Sequence, residues 1–173
     1  MNKKTNIYRV FGLRRSGNHV FVKWLTAQLP GNVDFYNNIY LNDPILRSPD
    51  ISESREGEID NIILSYEDRN LDFAADQKWI KRIKGAHDAK VTDILLLRSP
   101  LNLFASRVRS KKIKPLYFSG MSIPELLFQY YTYQGSADEW KERFGGILHV
   151  VSFDDFISSA TIREELAGDI GLR

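Results

Sequence analysis

The stretch FGLRRSGNHVFVKWL, residues 11–25, constrains the fold of this chain more than any other part of it. An apolar run at residues 7–11 leads into a turn that contains Gly12 and Gly17, and an apolar helical pattern follows at residues 18–29 before a Pro-Gly dipeptide ends it. A strand that passes through a glycine turn into a helix is typical of an α/β fold with a parallel sheet. We therefore predict this fold class.

The turn has the spacing of a phosphate-binding loop. Its two glycines bracket four residues in the pattern GxxxxG, and the helix that follows directs N–H groups and the positive end of its dipole at the turn. In P-loop NTPases the next two residues are a Lys for the phosphates and a Ser or Thr for Mg²⁺. Here they are Asn18 and His19, and Arg14 and Arg15 lie inside the loop. The sequence predicts an anion site that uses arginine without magnesium, and the alternative is a glycine turn with solvated arginines.

The rest of the chain continues the alternation of strands and helices. Further strands are predicted at residues 33–36, 61–66, 94–97 and 147–153. Helices are predicted after residue 66 with Phe73, Ile80 and Ile83 on one face, from Pro100 with Ser99 as N-cap, and from a Ser122/Glu125 capping box to about Phe144. We predict a three-layer P-loop-like fold, with a central parallel sheet of about five strands flanked by helices.

Composition favours one domain over residues 1–173, because 43% of the residues are hydrophobic and can form a core. Residues 37–60 are polar and are predicted to form a functional loop or lid, with a tolerated surface insertion as the alternative. The absence of cysteine excludes disulfides and thiolate metal sites, and the net charge of +2 argues against a nucleic-acid partner. With neither a signal-peptide pattern nor a membrane-spanning apolar run, we predict a soluble, cytoplasmic protein.

A second candidate anion site follows the fourth predicted strand. The residue that emerges from the apolar run ILLL is Arg98, where a P-loop NTPase commonly has an Asp for its metal. Ligands of open α/β sheets bind at the carboxyl ends of the strands, so Arg98 is expected on the same edge as the glycine loop. Ser106 is placed to join it on a second anionic group. The alternative for Arg98 is a salt bridge with a neighbouring carboxylate.

A glycine loop and an R-x-P-x-[DN]-x-x-x-S segment together resemble the sulfotransferase family. The matching residues are Arg15, Ser16 and Gly17 in the loop and Arg98, Pro100, Asn102 and Ser106 in the segment. The stretch VVSFDDF is also similar to a late strand of that family. The resemblance implies that 3′-phosphoadenylyl sulfate is the cofactor and adenosine 3′,5′-bisphosphate the product, without a metal. The implied cofactor-binding residues are Arg14, Arg15, Ser16, Gly17, Asn18, His19, Arg98 and Ser106.

The chemistry of sulfuryl transfer is compatible with the arginines of the loop. In the family, two threonines stand where this chain has Asn18 and His19, whose amide and imidazole can replace the hydroxyl donors. By analogy with phosphoryl transfer, charge develops on the oxygen of the leaving phosphate, and a fixed guanidinium can stabilise it. We assign this role to Arg15, with Arg14 as the second choice. The alternative is that only backbone N–H groups matter.

The general base must lie beside the acceptor at the carboxyl edge of the sheet. Glu67 follows the predicted strand NIILSY at that edge, and the resemblance allows a carboxylate there. His19, Asp34 and Asp68 remain candidates, and a capping or ion-pair carboxylate is the alternative for Glu67. His87 and His149 are expected far from the loop, near the amino ends of their strands.

Three functions remain open. The first is a sulfotransferase that acts on a hydroxyl or amine of a small-molecule or glycan acceptor. The others are a P-loop nucleotide or small-molecule kinase and a non-catalytic nucleotide-binding module. A basic run could bind an acidic acceptor or could be a solvated helix end. It consists of Arg107, Arg109, Lys111, Lys112 and Lys114.

Overall fold

The structure is a computed structural model that describes residues 5–37, 60–69, 89–111, 122–144 and 146–172. In these ranges the strands are β1 (Asn6–Gly12), β2 (Val33–Tyr36), β3 (Asn61–Glu67), β4 (Lys90–Leu97) and β5 (Leu148–Ser152). The helices are α1 (Asn18–Gln28), α2 (Pro100–Lys111), α3 (Ile123–Phe144), α4 (Phe153–Ser158) and α5 (Ala160–Asp169).

The described strands form one parallel sheet in the order β2-β3-β1-β4-β5. Strand β1 is central and pairs with β3 on one side and with β4 on the other. Gly12, the last residue of β1, lies level with Glu67 of β3 and Leu96 of β4. The carboxyl ends of three neighbouring strands therefore meet at the glycine loop, and the predicted fold class is confirmed.

Helices pack on both faces of the sheet, and two apolar cores result. Alternate residues of a strand point to opposite faces, so Phe11 of β1 lies in one core and Val10 in the other. The first core contains Leu103 of α2 and Tyr133 and Trp140 of α3. The second contains residues of α1, α4 and α5, including Phe21, Phe156 and Leu166. This is the predicted three-layer arrangement.

Several predicted boundaries differ from the structure. Strand β2 covers residues 33–36 as predicted, whereas β4 begins at Lys90 rather than at residue 94. The prediction that the fifth strand continues to Phe153 is wrong, because Phe153 is the first residue of α4. Two acidic residues, Asp154 and Asp155, occupy the first turn of α4 and favour a helix N-terminus there. Helices α4 and α5 were not predicted.

The capping box at the start of α3 is present. The Ser122 backbone N–H donates to Glu125 Oε2 at 2.5 Å, and the Glu125 N–H donates to Ser122 Oγ at 3.4 Å. The Ser122 hydroxyl also donates to Glu125 Oε2. The hydrogen bonds from the Ser122 backbone N–H and hydroxyl lower the pKa of the Glu125 carboxyl. No helix in the described part of the chain is both long enough and apolar enough to cross a membrane.

Four predictions fall outside the described residues. They concern most of the loop at residues 37–60, the helix with Phe73, Ile80 and Ile83, the position of His87, and Lys112 and Lys114 of the basic run.

Candidate functional site

A pocket of about 370 Å³ lies at the carboxyl edge of the sheet, where β1, β3 and β4 end. It lies over the glycine loop and is bounded by α2 on one side and α4 on another. The residues that line it are Arg14, Arg15, Gly17, Asn18, His19, Val20, Glu67, Arg98, Ser106, Phe153 and Ile157. The two candidate anion sites of the sequence therefore contribute to one pocket.

The backbone of the glycine loop requires glycine at the second of its two glycine positions. Gly17 has φ of 99°, in the left-handed region, and precedes the first residue of α1. A Cβ atom at Gly17 would lie 2.1 Å from ring atoms of Phe153. At the first glycine, Gly12, a Cβ atom would lie 2.8 Å from Asn18 Oδ1. The loop is therefore packed against its neighbours at both glycines, and α4 covers it through Phe153.

Arg15, Arg98 and Ser106 form a cluster at the pocket wall. Arg15 Nε donates to Ser106 Oγ at 3.1 Å, and Arg98 Nη1 donates to the Arg15 carbonyl oxygen at 2.9 Å. Arg15 has φ of 74°, which is uncommon for a residue with a side chain. The cluster places two guanidinium groups and a hydroxyl, all hydrogen-bond donors, at one end of the pocket. Such a set suits an anionic group.

Arg98 also has a carboxylate neighbour, as the alternative interpretation expected. Its Nε lies 3.8 Å from Asp154 Oδ1, which is beyond hydrogen-bond distance. The same carboxylate accepts from the Ser99 backbone N–H at 2.8 Å and from Asn102 Nδ2 at 3.1 Å, so it satisfies donors at the start of α2. Arg98 Nε is buried and has no hydrogen-bond partner within the described ranges. The guanidinium is stacked on Phe153, with 5.6 Å between Cζ and the ring centroid.

The side chain of Arg14 has different neighbours from that of Arg15. Its Nε lies 3.6 Å from Glu67 Oε2 and 3.7 Å from Asp68 Oδ2. Asn18 Nδ2 donates to the other oxygen of Glu67, Oε1, at 3.0 Å. Glu67 is thus oriented by an arginine and an amide at the pocket wall. Two carboxylates lie close to the guanidinium of Arg14.

The remaining predicted residues differ in their exposure to the pocket. His19 is exposed and lines it. Ser16 is buried, with 1% of its surface exposed, and is not a lining residue; its N–H donates to the Leu13 carbonyl oxygen at 3.0 Å. The loop serine therefore contributes to the turn.

The candidate base Asp34 lies away from the pocket, and so does His149, which was expected far from the loop. Asp34 is paired with Ile62 in the sheet, five residues before Glu67 along β3 and therefore about 17 Å below the carboxyl edge. His149 is paired with Ile94 in the middle of β4. Burial lowers the pKa of His149, and Lys90 lowers it further, while Asp169 and Asp93 act in the opposite direction.

The third candidate, Asp68, is part of a buried ion pair that the sequence analysis missed. Its carboxylate accepts from Arg107 Nη2 and from the Arg14 backbone N–H. The expectation that Arg107 belongs to a solvated or acceptor-binding basic run is wrong, because Arg107 is fully buried. No sequence pattern joins these two residues, which lie 39 positions apart.

Comparison with known proteins gives the fold alone. Neither a protein family model nor a curated protein matches the chain. The chain does match solved structures. One of them, described as the crystal structure of APE1195, has a TM-score of 0.51 at 12% identity, and the match covers 98% of this chain and 95% of that one. Polyphosphate kinase 2 from Arthrobacter aurescens TC1 has the same TM-score and identity, covering 98% of this chain and 69% of that one. The chain therefore has an α/β fold that is similar to that of a P-loop kinase.

Proposed function

We propose that the pocket binds 3′-phosphoadenylyl sulfate and that the chain transfers its sulfuryl group to a hydroxyl or amine. One observation carries this proposal: two sequence-distant motifs, the glycine loop and the segment from Arg98 to Ser106, meet through side-chain contacts at one pocket wall. The cofactor has two separate phosphate-containing groups. The first N–H groups of α1 and the cluster of Arg15, Arg98 and Ser106 offer donors for these two groups.

The residues of the pocket are compatible with this cofactor. The first N–H groups of α1, at Asn18 and His19, have no acceptor within the helix, because an α-helix leaves its first N–H groups unpaired. They can donate to a phosphate oxygen, and the positive end of the helix dipole adds to the attraction. Arg98 Nε is a buried donor without a hydrogen-bond partner in the described residues, and the residue lines the pocket together with Ser106. The pocket also has apolar surface, at Val20, Phe153 and Ile157, for an aromatic base.

Each charged side chain then has a defined task. The cofactor supplies an activated sulfuryl group on a phosphate leaving group. Arg15 stabilises the negative charge that develops on that phosphate, and Arg98 with Ser106 binds the 3′-phosphate. Glu67 accepts the proton of the acceptor at Oε2, because its other oxygen already accepts a hydrogen bond from Asn18. The side chain of Arg14 lies 3.6 Å from Oε2 and keeps the carboxylate at the pocket.

A P-loop kinase is the second candidate, and the likeness to polyphosphate kinase 2 favours it. The GxxxxG loop and the parallel sheet suit a nucleoside triphosphate equally well. Two positions support the sulfuryl-transfer proposal instead. Asn18 occupies the place of the P-loop Lys and is directed at Glu67, and Arg98 follows β4 where a metal-binding Asp is common.

A thermal-shift experiment distinguishes the two candidates. Adenosine 3′,5′-bisphosphate at 100 times its dissociation constant should stabilise the fold by about 2.7 kcal/mol in EDTA. Adenosine 5′-monophosphate is the matched control, because it lacks only the 3′-phosphate. Stabilisation by ATP that requires Mg²⁺, without an effect of the bisphosphate, would assign the chain to the kinases.

A further inference from the structure

A buried ion pair lies directly behind the glycine loop and is not among the residues that line the pocket. It joins Asp68, which follows β3, to Arg107 of α2. The Arg107 side chain is fully buried, and that of Asp68 is 5% exposed. Burying two charges is unfavourable unless hydrogen bonds satisfy them, so the contacts of this pair indicate what it does.

Both members of the pair are bonded to the backbone of the loop. Arg107 Nε donates to the Arg14 carbonyl oxygen at 3.0 Å, and the Arg14 N–H donates to Asp68 Oδ1 at 2.9 Å. The Asp68 N–H in turn donates to the Gly12 carbonyl oxygen at 3.1 Å. The peptide groups on either side of Arg14 are therefore held by two side chains from different parts of the fold. One is the carboxylate of Asp68, which follows β3, and the other is the guanidinium of Arg107 on α2.

The loop has a conformation that needs such support. Arg15 and Asp68 have φ of 74° and 56°, in the left-handed region that residues with a Cβ atom disfavour. Arg15 directly follows the residue that the pair holds. Without the pair, the loop would be free to relax towards ordinary backbone angles, and its N–H groups would no longer converge on one anion.

The pair also relates the loop to the second anion site. Ser106 and Arg107 are consecutive in α2, and Ser106 bonds the side chain of Arg15 while Arg107 bonds the backbone of Arg14. One turn of α2 thus contacts the loop twice. A change at Arg107 would alter the separation of the two anion sites as well as the shape of the loop.

We propose that Asp68 and Arg107 are positioning residues, which hold residues 12–17 in an anion-binding conformation and set the distance from the loop to Ser106. The proposal rests on the proposed function only for the identity of the ligand. It removes Asp68 from the candidate general bases, because its carboxylate is committed to the loop and to Arg107.

The chain contains a matched control for this pair. Arg9 and Asp93 form a second buried ion pair, with two hydrogen bonds of 2.6 Å between β1 and β4. Arg9 is fully buried and Asp93 is 6% exposed. Neither residue lines the pocket. Arg9→Met therefore removes an arginine partner from a buried carboxylate, as Arg107→Met does, but away from the loop.

The experiment compares Arg107→Met, Arg107→Lys and Asp68→Asn with Arg9→Met, each below its own melting temperature. Titrations measure the dissociation constants of adenosine 3′,5′-bisphosphate and inorganic pyrophosphate, and hydrogen exchange of the Arg14 amide is measured without ligand. Arg107→Met should weaken binding by about tenfold or more and accelerate Arg14 exchange. Arg9→Met should lower the melting temperature while both readouts stay near wild type. Arg107→Lys keeps the positive charge but loses the two separate donors of the guanidinium, and it should restore part of the affinity.

The variants and readouts separate a folding defect, failure of the positioning role and failure of the proposed function. If Arg107→Met does not fold, Asp68→Asn gives the same two measurements with the side-chain shape kept. Binding that Arg107→Met weakens no more than Arg9→Met, or Arg14 exchange equal to that of wild type, would overturn the proposal. A wild-type protein that does not bind the bisphosphate contradicts the proposed function instead, while the exchange of the Arg14 amide still supports or overturns the positioning role.

Discussion

Arg15 Nε donates a hydrogen bond to Ser106 Oγ at 3.1 Å, although 91 positions separate the two residues. The contact joins the turn after β1 to the helix after β4, which are neighbours because β1 and β4 pair in the sheet. Each side chain could bind an anion by itself. Together they give the pocket a polar wall whose geometry depends on the central strands.

Arg98→Ala should weaken binding of adenosine 3′,5′-bisphosphate by about 1.5–3 kcal/mol, because it removes a charge-assisted contact. Binding of adenosine 5′-monophosphate should change little. Ser106→Ala should show the same selectivity with a smaller effect, and Arg109→Ala, at an exposed position on α2, is the control. Isothermal titration calorimetry gives the constants. Equal losses for both nucleotides would show that Arg98 does not bind the 3′-phosphate.

Gly17→Ala should destabilise the protein by about 2–5 kcal/mol, from the unfavourable positive φ and from overlap with Phe153. Gly168→Ala is the matched control, since a Cβ atom there meets nothing within 4 Å in α5. That substitution should raise stability by about 0.5–1 kcal/mol. Urea unfolding monitored by circular dichroism measures both. A Gly17→Ala protein with wild-type stability would contradict the packing of α4 over the loop.

Glu67→Gln should lower turnover by about 10²–10⁴ while the affinity for the bisphosphate stays near wild type, as expected for loss of a general base. Asp34→Asn, at a carboxylate in β2 far from the pocket, should leave turnover unchanged. The measurement is a single-turnover rate with an acceptor found by screening. Near-normal turnover of Glu67→Gln would transfer the role to another residue, and His19 would be tested next.

Burial of His149 predicts a pH dependence of stability. Its folded pKa is lowered from the ordinary value of 6.5, chiefly by desolvation, so the unfolded chain binds the proton more readily. Stability is then retained above the unfolded pKa and falls as the pH drops from 6.5 through the folded value. His149→Gln should reduce this slope between about pH 5 and pH 7.5 in urea midpoints. An unchanged slope would mean that other groups cause it.

Much of the fold could be predicted because its strands are short apolar runs that end at recognisable turns. The loop after β1, the capping box at Ser122 and the boundaries of β2 are local patterns and were predicted correctly. The start of α4 was missed because Phe153 extends an apolar run, and its burial against Gly17 is a tertiary contact. Ser152 and the two acidic residues after Phe153 were the available signal for a helix start.

The site was predictable to the extent that its residues follow strands. Glu67, Arg98 and the loop all lie at the carboxyl ends of strands, and the rule for open α/β sheets placed them together. The pairing of Asp68 with Arg107 could not be predicted in this way, because opposite charges distant in sequence have many possible partners. Composition even favoured an exposed Arg107, since charged residues are rarely buried without a partner.

The position of β1 at the centre of the sheet has a consequence for protein synthesis. Its two neighbours, β3 and β4, end at Glu67 and Leu97, so β1 is paired on both edges only after synthesis has passed Leu97. Until then an apolar strand has open edges, which favour pairing with other nascent chains. The glycine loop can acquire its final shape only after α2 has followed.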